Sequence, residues 1–282
     1  MGRSRGSITR RARASLAINP PVTTLRSIVE RLTHSLVIKR RLPPRFGGIP
    51  LFVSTEGGLR FLRLSLERVD PDLLRMAMEL VEPGDVVWDI GANLGLFTFA
   101  AAARAGSSGS VYAIEPDTTL ISLLRRSAGL EEAKRARVNP IPIAVSDAVD
   151  VSRFYIAKRA RAANHLESCG STQTGGTRET QWVVTVTLDW MLERFPVPNV
   201  LKVDVEGAEA RVLAAAPKVL SSCRPRILCE VFQENAVEVS KILQSFGYTL
   251  FDAASHPSKR QPISRATYTT LAYPCELLGS RT

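Results

Sequence analysis

The chain has 282 residues, of which 45% are hydrophobic and 6% aromatic, and its formal net charge is +10. A chain of this length and apolar content can bury one sizeable core, so the simplest organisation is a single domain with appendages. It contains no uninterrupted run of about 18 apolar residues, so no transmembrane helix is predicted and a cytoplasmic protein is expected.

The positive charge is concentrated at the start of the chain. Residues 1–45 hold 11 of the 37 Lys and Arg residues but one of the 27 Asp and Glu residues, so the remainder is neutral overall. We expect a flexible basic leader, because arginine-rich termini are usually solvated. A transit peptide, or contact with an anionic membrane or nucleic acid, stays open, and residues 21–39 could form an amphipathic helix for peripheral membrane contact.

Two short elements are predicted after the leader. Residues 50–66 contain two alternating apolar runs around Gly57-Gly58, which predicts a β-hairpin. Asp70 and Pro71 then predict a helix that ends at about Leu80, with Asp70 as its N-cap and Pro71 as its first residue.

Residues 86–99 are the most informative segment. They predict a buried strand, a glycine turn and the start of a helix in immediate succession. Gly91 allows the bend, and Gly95 is expected to let a ligand approach the first turn of the helix, where unpaired N–H groups favour anions. Asp89 lies on the strand before the turn. Asn93 stands where the dinucleotide fingerprint needs its second glycine, so the spacing D-x-G-x-x-x-G favours a different nucleotide.

The next apolar run, residues 110–114, ends in Glu115-Pro116. A carboxylate at the tip of the second strand can accept two hydroxyl protons, which is the chemistry that a ribose needs. Glu115 is therefore the predicted ribose ligand.

The rest of the chain alternates strands and helices. Strands are predicted at 140–145, 200–203 and 226–231, and helices near 120–130, 208–220 and 236–246. This alternation predicts a mostly parallel, doubly wound α/β sheet. No helix is predicted between the last two runs, 247–252 and 266–273, so we expect them to pair as an antiparallel hairpin.

Residues 148–185 interrupt this alternation. Two β-like runs, 152–157 and 182–186, flank a long polar stretch. A polar insertion beside the carboxyl ends of parallel strands forms either a substrate lid or a mobile surface loop, and both interpretations remain open.

Further motifs point to one family. Ala144-Val-Ser-Asp147, Thr187-Leu-Asp189 and Leu201-Lys-Val-Asp-Val-Glu-Gly-Ala-Glu209 follow the glycine turn in order. Together with Asp89-Ile-Gly-Ala-Asn93 and Glu115-Pro116, they make residues 60–274 resemble the FkbM family of methyltransferases. The resemblance implies a class I methyltransferase (Rossmann-like) fold, with a mostly parallel seven-stranded sheet and a C-terminal antiparallel hairpin. The methyltransferase domain would span residues 46–282, with the hairpin and helix at 50–80 and the lid-like insertion at 148–185.

The resemblance also implies a cofactor and a reaction. The cofactor would be S-adenosyl-L-methionine, and the usual reaction is O-methylation of a hydroxyl on a saccharide or secondary metabolite. The cofactor-binding residues would be Asp89, Gly91, Asn93 and Gly95 in the turn, Glu115 at the ribose, and Asp147 beside the adenine amino group.

Methyl transfer to an alcohol also needs a group that removes a proton. Asp204 and Glu206 are candidates, because residues i and i+2 at a strand end point the same way. His165 lies near the insertion and could act as a base near neutral pH. Glu230 ends the next strand and faces either the cleft or solvent. Two carboxylates could hold a divalent metal, but the resemblance does not require one and none is predicted.

The expected partner is a small hydroxylated acceptor, and the oligomeric state is left open. An RNA or other nucleic-acid methyltransferase that uses the basic leader is one alternative. Amino-group methylation of a base would carry Asn/Asp-Pro-Pro-Tyr/Phe after the fourth strand, where this chain has Asp204-Val-Glu-Gly207. No aromatic residue precedes Phe46, which also disfavours nucleic acid. The other alternative is a non-catalytic cofactor-binding module.

Overall fold

The computed structural model describes residues 36–130, 134–158, 164–167 and 176–279. The strands in these ranges are β1 Val37–Arg41, β2 Pro50–Ser54, β3 Val86–Ile90, β4 Ser110–Ile114, β5 Arg137–Ile141, β6 Ala144–Val145, β7 Asp150–Ala157, β8 His165–Leu166, β9 Thr177–Val186, β10 Val200–Val203, β11 Arg226–Glu230, β12 Tyr248–Asp252, β13 Pro262–Ile263 and β14 Thr269–Pro274. The α-helices are α1 Pro71–Leu80, α2 Leu96–Ala105, α3 Thr118–Ala128, α4 Leu188–Leu192, α5 Glu209–Ala214, α6 Ala236–Ser245 and α7 Cys275–Gly279.

One large mixed sheet organises the molecule. Its strand order is β13-β12-β14-β11-β10-β3-β4-β5, and the five strands from β11 to β5 are parallel. The α/β architecture predicted from the alternating pattern is confirmed. Side chains alternate between the two faces of β3, so Val87 packs in the core under α1 to α3 and Trp88 packs in the core under α5 and α6.

The end of the large sheet differs from the prediction in detail. The sheet has eight strands in the described residues instead of seven, because the two-residue strand β13 pairs with the outer edge of β12. β14 pairs antiparallel with both β11 and β12, so the last strand of the chain lies inside the sheet. The connection from β12 to β14 therefore passes through an edge strand and is longer than a simple hairpin turn.

The predicted hairpin at residues 50–66 is wrong. Strand β2 pairs antiparallel with β1, which lies inside the segment predicted to be a flexible leader. Gly57-Gly58 does not join two strands, because residues 55–57 and 59–62 form 3-10 turns. Residues 1–35 of the predicted leader, including most of the predicted amphipathic helix, lie outside the described residues.

Helix α1 confirms the predicted cap. The Asp70 side chain accepts a hydrogen bond from the Leu73 backbone N–H at 2.9 Å, and Pro71 is the first helical residue. An N-cap of this kind satisfies a donor that the helix cannot pair internally. The cap fixes the start of α1 beside the carboxyl ends of the central strands.

Two prolines change predicted elements. The strand predicted at 140–145 is divided between β5 in the large sheet and β6 in a smaller one, since Pro142 has no N–H for the ladder. The helix predicted at 208–220 ends at Ala214, and a π-helical turn, Val219–Cys223, follows Pro217.

The insertion forms a second sheet. Its order is β6-β9-β7-β8, and β7 pairs with β9 along the full length of β7. The sequence predicted only two short β-like runs here, 152–157 and 182–186, whereas the described residues form a four-stranded sheet. The small sheet contacts the N-terminal segment through an ion pair between Arg178 Nη1 and Glu56 Oε2 at 3.0 Å. Residues 159–163 and 168–175, the polar middle of the insertion, lie outside the described residues.

No helix in the described part of the chain is both long enough and apolar enough to cross a membrane.

Candidate active site

The turn after β3 has a backbone that favours glycine. Gly91 has φ +77°, and a Cβ atom there would overlap the backbone oxygen of Asp204. The Gly91 and Ala92 N–H groups both donate to the Ile114 carbonyl at 3.0 Å. The turn is therefore held against the ends of β4 and β10, where the predicted ligands lie.

A buried lysine ties this turn to two carboxylates. Lys202 Nζ donates to the Gly91 carbonyl at 2.9 Å and lies 3.2 Å from both Asp89 Oδ1 and Asp204 Oδ2. Asp89 also accepts from the Thr98 hydroxyl at 2.5 Å. Burial disfavours the ammonium of Lys202, but the Asp89 and Asp204 carboxylates outweigh this effect and raise its pKa. Lys202 therefore stays charged and fixes the positions of both strand ends.

A first cavity lies between the large and small sheets. It comprises about 580 Å³ of empty space, part of it open to solvent, and is bounded by the turn, the ends of β4 and β10 and the small sheet. Its polar lining includes Gly91, Asn93, Glu115, Asp204 and Glu206, and its apolar walls include Ile114, Ile143, Val145, Phe154, Leu166 and Val205. The cavity is thus an apolar slot with carboxylates at one side.

Glu115 is the buried carboxylate of the first cavity. Its Oε2 accepts from the Asn93 N–H at 2.8 Å and its Oε1 from the Asp117 N–H at 2.9 Å. Burial raises the pKa of Glu115 to about 7, although both hydrogen bonds oppose the rise. Each oxygen retains a lone pair, so the pair of oxygens can accept two further protons from a ligand.

A second, larger cavity opens on the other side of the turn. It comprises about 1300 Å³ of empty space, part of it open to solvent, and shares Gly91, Asn93, Asp204 and Glu206 with the first cavity. Its remaining charged lining is contributed by α1 and its N-cap, a 3-10 turn, β10 and β11, through Asp70, Asp72, Arg60, Lys202 and Glu230. Carboxylates outnumber cations here, and Arg60 and Lys202 are each paired with a carboxylate.

Two carboxyl groups in the second cavity have strongly raised pKa values. Burial, followed by the negative charges of Asp204 and Glu230, raises the pKa of Glu206 to about 8. Burial, followed by the charge of Asp204, raises the pKa of Glu230 to about 7. Titratable groups with such shifts cluster at functional sites.

Asp89 and Gly95, two residues of the predicted turn set, lie outside both cavities. Asp89 is fully buried beneath the turn, where Lys202 and Thr98 hold it. Gly95 has φ +87°, and a Cβ atom there would crowd Leu124 at 2.6 Å. Glycine is therefore needed here for close packing between α2 and α3, and the approach of a ligand to Gly95 stays a prediction.

Two further predicted residues also lie away from the cavities. Both Asp147 oxygens accept from the Arg211 guanidinium, at 2.7 and 3.0 Å, and neither cavity includes Asp147 among its lining residues. His165 is buried and packs edge-on against Tyr155 at 5.7 Å between ring centroids, while its neighbour Leu166 faces the first cavity. The roles predicted for Asp147 beside the adenine amino group and for His165 as a base therefore stay predictions.

Two residues of the site were not predicted. Tyr268 donates its hydroxyl proton to Glu230 Oε2 at 2.8 Å. Asn164 lines the first cavity and donates to the buried Asp117 carboxylate at 2.7 Å. Lys202 lies on β10 just before the strand end, where the sequence pattern allowed a structural role for it.

The sequence of these same elements matches a known family model. Residues 89–250, more than half of the chain, match the model described as the methyltransferase FkbM domain. The chain belongs to the FkbM methyltransferase family. The family prediction is confirmed, and the FkbM domain includes the glycine turn, the small sheet and the ends of β10 and β11.

Two relatives have named activities. Over 160 residues the chain is 31% identical to the hexuronic acid methyltransferase AglP of Haloferax volcanii, a match that covers 55% of this chain and 59% of AglP, under two thirds of its length. Over 206 residues it is 29% identical to the 31-O-demethyl-FK506 methyltransferase FkbM of Streptomyces tacrolimicus, covering 63% of this chain and 77% of the relative.

Solved structures give a weaker match. The structure of a methyltransferase FkbM from Methylobacillus flagellatus is 14% identical with a TM-score of 0.42, covering 71% of this chain and 50% of that one. The structure of an S-adenosylmethionine-dependent O-methyltransferase from Thermotoga maritima is 17% identical with a TM-score of 0.38, covering 72% of this chain and 64% of that one.

Proposed function

We propose that this protein is an S-adenosylmethionine-dependent O-methyltransferase that acts on a hydroxyl of a small acceptor, such as a saccharide or a secondary metabolite. The observation that carries the proposal is the first cavity, which joins the buried Glu115 carboxylate to the Gly91 turn and opens beside a second cavity. Membership of the FkbM family supports the reaction class.

The first cavity has the chemistry that adenosine needs. The two Glu115 oxygens have lone pairs left for the two ribose hydroxyls. The apolar walls from Ile143, Val145, Phe154 and Leu166 suit a flat aromatic base, which is bound mainly by apolar contact with a few polar groups. In this proposal Glu115, Gly91 and Asn93 hold the cofactor, and Asp89 supports the turn from beneath.

The second cavity is assigned to the methionine end of the cofactor and to the acceptor. The methionine end of the cofactor carries two cations, a sulfonium and an ammonium. The Asp204 and Glu206 carboxylates on the wall shared by the two cavities have the charge to attract them. The acidic lining disfavours a nucleic acid, whose phosphates would be repelled at close range. A small polyhydroxylated acceptor fits the remaining space and charge better.

The acceptor class is drawn from the relatives. One is named for a hexuronic acid and the other for 31-O-demethyl-FK506, so both names point to small-molecule acceptors. Saccharides and secondary metabolites are the acceptors to screen first.

The protein has little covalent chemistry to supply. The cofactor provides an already activated methyl group when it is bound. The chain must hold the acceptor oxygen in line with that methyl, exclude water and accept the hydroxyl proton. Lys202 fixes the shared wall of the two cavities, and the raised pKa values of Glu206 and Glu230 provide carboxyl groups suited to proton transfer near neutral pH.

A methyl-transfer assay tests the proposal. The full chain is incubated with S-adenosylmethionine carrying a ¹³C-methyl group and with monosaccharide glycosides, glucuronic acid and hydroxylated macrolides. An O-methyl resonance in a purified product supports the proposal. Transfer to nitrogen or carbon, or transfer to RNA in place of all the small acceptors, would contradict it.

A further inference from the structure

We propose that Glu230 is the general base that removes the acceptor proton and that Tyr268 is the residue that positions it. This inference rests on the proposed function and assigns its proton acceptor to Glu230, which the sequence left facing either the cleft or solvent, in place of the predicted Asp204, Glu206 and His165.

The location of Glu230 separates it from the other carboxylates. Strands β10 and β11 are parallel neighbours with Val203 opposite Cys229, so Asp204 and Glu230 follow at adjacent strand ends. Asp204 and Glu206 line both cavities, whereas Glu230 lines the second cavity and is absent from the lining of the first. Glu230 is therefore placed to meet the acceptor, while the other two also face the cofactor cavity.

Tyr268 fixes the orientation of Glu230. The backbone pairing of β11 with β14 brings the segment before Thr269 next to Glu230, and the Val231 N–H donates to the Tyr268 carbonyl at 2.7 Å. The Tyr268 hydroxyl donates to Glu230 Oε2 at 2.8 Å. Oε1 is left for the acceptor hydroxyl, with its direction set by the bond on the other oxygen.

Asp204 already has a cationic partner. Its Oδ2 lies 3.2 Å from the buried Lys202 ammonium, so this oxygen is already engaged and is not left for an acceptor hydroxyl. Glu230 forms no ion pair within the described residues. Its surrounding charged and titratable groups are Asp204, Lys202, Tyr268, Asp70 and Glu206.

These neighbours give Glu230 a useful proton affinity. Burial and then Asp204 raise its pKa, Lys202 and the Tyr268 hydroxyl oppose the rise, and the resulting pKa is about 7. A general base works best when its pKa lies near the operating pH.

The reaction step balances with these groups. The acceptor O–H proton moves to Glu230 Oε1 as the acceptor oxygen forms a bond to the methyl carbon. The bond between that carbon and sulfur breaks, and its electron pair stays on sulfur, which loses its positive charge. Glu230 later releases the proton to water.

The test compares Glu230→Gln and Tyr268→Phe with wild type and with the control Glu238→Gln, an exposed carboxylate on α6. The acceptor probe is the monosaccharide glycoside or glucuronic acid that wild type methylates. For Glu230→Gln we expect kcat to fall by about 100-fold or more, with S-adenosylhomocysteine affinity within about 3-fold of wild type. Glu238→Gln should match wild type in both.

Tyr268→Phe distinguishes a residue that positions the base from one that only supports the fold, because only the first role affects the pH dependence of the reaction. Losing the hydroxyl removes a bond that stabilises the Glu230 carboxylate, so the acidic limb of kcat/KM should shift to higher pH. An acidic limb that does not shift in Tyr268→Phe would overturn the assignment. So would a kcat of Glu230→Gln that stays within about 3-fold of wild type while oxygen is still methylated. Either result leaves the proposed function standing.

The assignment of Glu230 as the base can also be tested by a measurement that needs no acceptor. In protein labelled with ¹³C at the Glu carboxyl carbon and saturated with S-adenosylhomocysteine, the resonance missing from Glu230→Gln identifies Glu230. We expect it to titrate near neutral pH and to move upward in Tyr268→Phe. Titration near the ordinary glutamate value of about 4.3 would overturn the assignment. A wild type that binds S-adenosylhomocysteine but methylates nitrogen or carbon refutes the proposed function, and the base assignment with it.

Discussion

A side chain at Gly91 would occupy the space of the Asp204 backbone oxygen, so the turn after β3 and the end of β10 are packed as closely as their backbones allow. This contact sets the wall shared by the two cavities. It explains the need for glycine at this position more directly than ligand approach does.

Gly91→Ala should therefore be far more damaging than an alanine at another positive-φ glycine. Gly106, with φ +66° and no atom within 4 Å of an added Cβ, is the matched control. We expect Gly106→Ala to cost about 1 kcal/mol of unfolding free energy from backbone strain. Gly91→Ala should cost at least about 2 kcal/mol more, because packed backbone must move. Urea denaturation checks this, and equal losses would show that the Gly91 contact is relaxed easily.

Lys202 and Asp89 should behave as one buried unit. Lys202→Met leaves the fully buried Asp89 carboxylate without its cation, which we expect to cost about 3–5 kcal/mol. Asp89→Asn in the same chain removes the uncompensated charge, so the double variant should be less destabilised than the sum of the single variants. Chemical denaturation of the four proteins measures the coupling. Strict additivity would mean that the pair is not an interacting unit.

Glu115 should make stability fall as the pH rises. Its pKa is about 7 in the folded chain, against an ordinary glutamate value of 4.5, so the folded state binds the extra proton between these values. The stabilisation is complete below the lower value and lost above the upper one, with a total of about 3 kcal/mol for this one group. Unfolding free energies at pH 5 and pH 7.5 test the prediction.

Glu115→Gln is the control for that pH dependence. Its unfolding free energy should fall less between the two pH values than that of wild type. The fall that remains is expected from Glu206 and Glu230, whose pKa values are also raised. If wild type and Glu115→Gln lose the same stability over this range, Glu115 does not carry the raised pKa.

Ligand affinity should separate the residues that line the first cavity from those that do not. We expect Glu115→Gln to weaken S-adenosylhomocysteine binding by about tenfold or more, since it loses a charged acceptor for hydroxyl protons. Asp147→Asn should change the affinity by less than about 3-fold, because Asp147 is bound by Arg211 at the surface. Calorimetric titration measures both. An effect of Asp147→Asn as large as that of Glu115→Gln would require Asp147 to contact the ligand.

The sequence predicted the local elements that carry the candidate site. The strand, turn and helix around Gly91 and the carboxylates Glu115 and Asp204 could be found, because each depends on residue types within a short segment. Strand ends in a parallel sheet then bring such residues together at one edge. The cap of α1 by Asp70 was equally local.

The parts that were missed depend on lateral pairing between distant segments. Tyr268 reaches Glu230 only because β14 enters the sheet beside β11. Asp147 accepts hydrogen bonds from Arg211, which is 64 residues away in the sequence. Periodicity identifies a strand and its two faces, but it does not name the neighbouring strand, which is also why the partner of β2 was misassigned.

The central claim is that the first cavity binds the adenosyl part of S-adenosylmethionine, and isothermal titration of the full chain tests it most directly. Purified protein is titrated with S-adenosylmethionine, S-adenosylhomocysteine and NAD under the same conditions. We predict saturable binding of both sulfur compounds with one site per chain and no measurable binding of NAD. Binding of NAD without either sulfur compound, or no binding of any of the three, would contradict it.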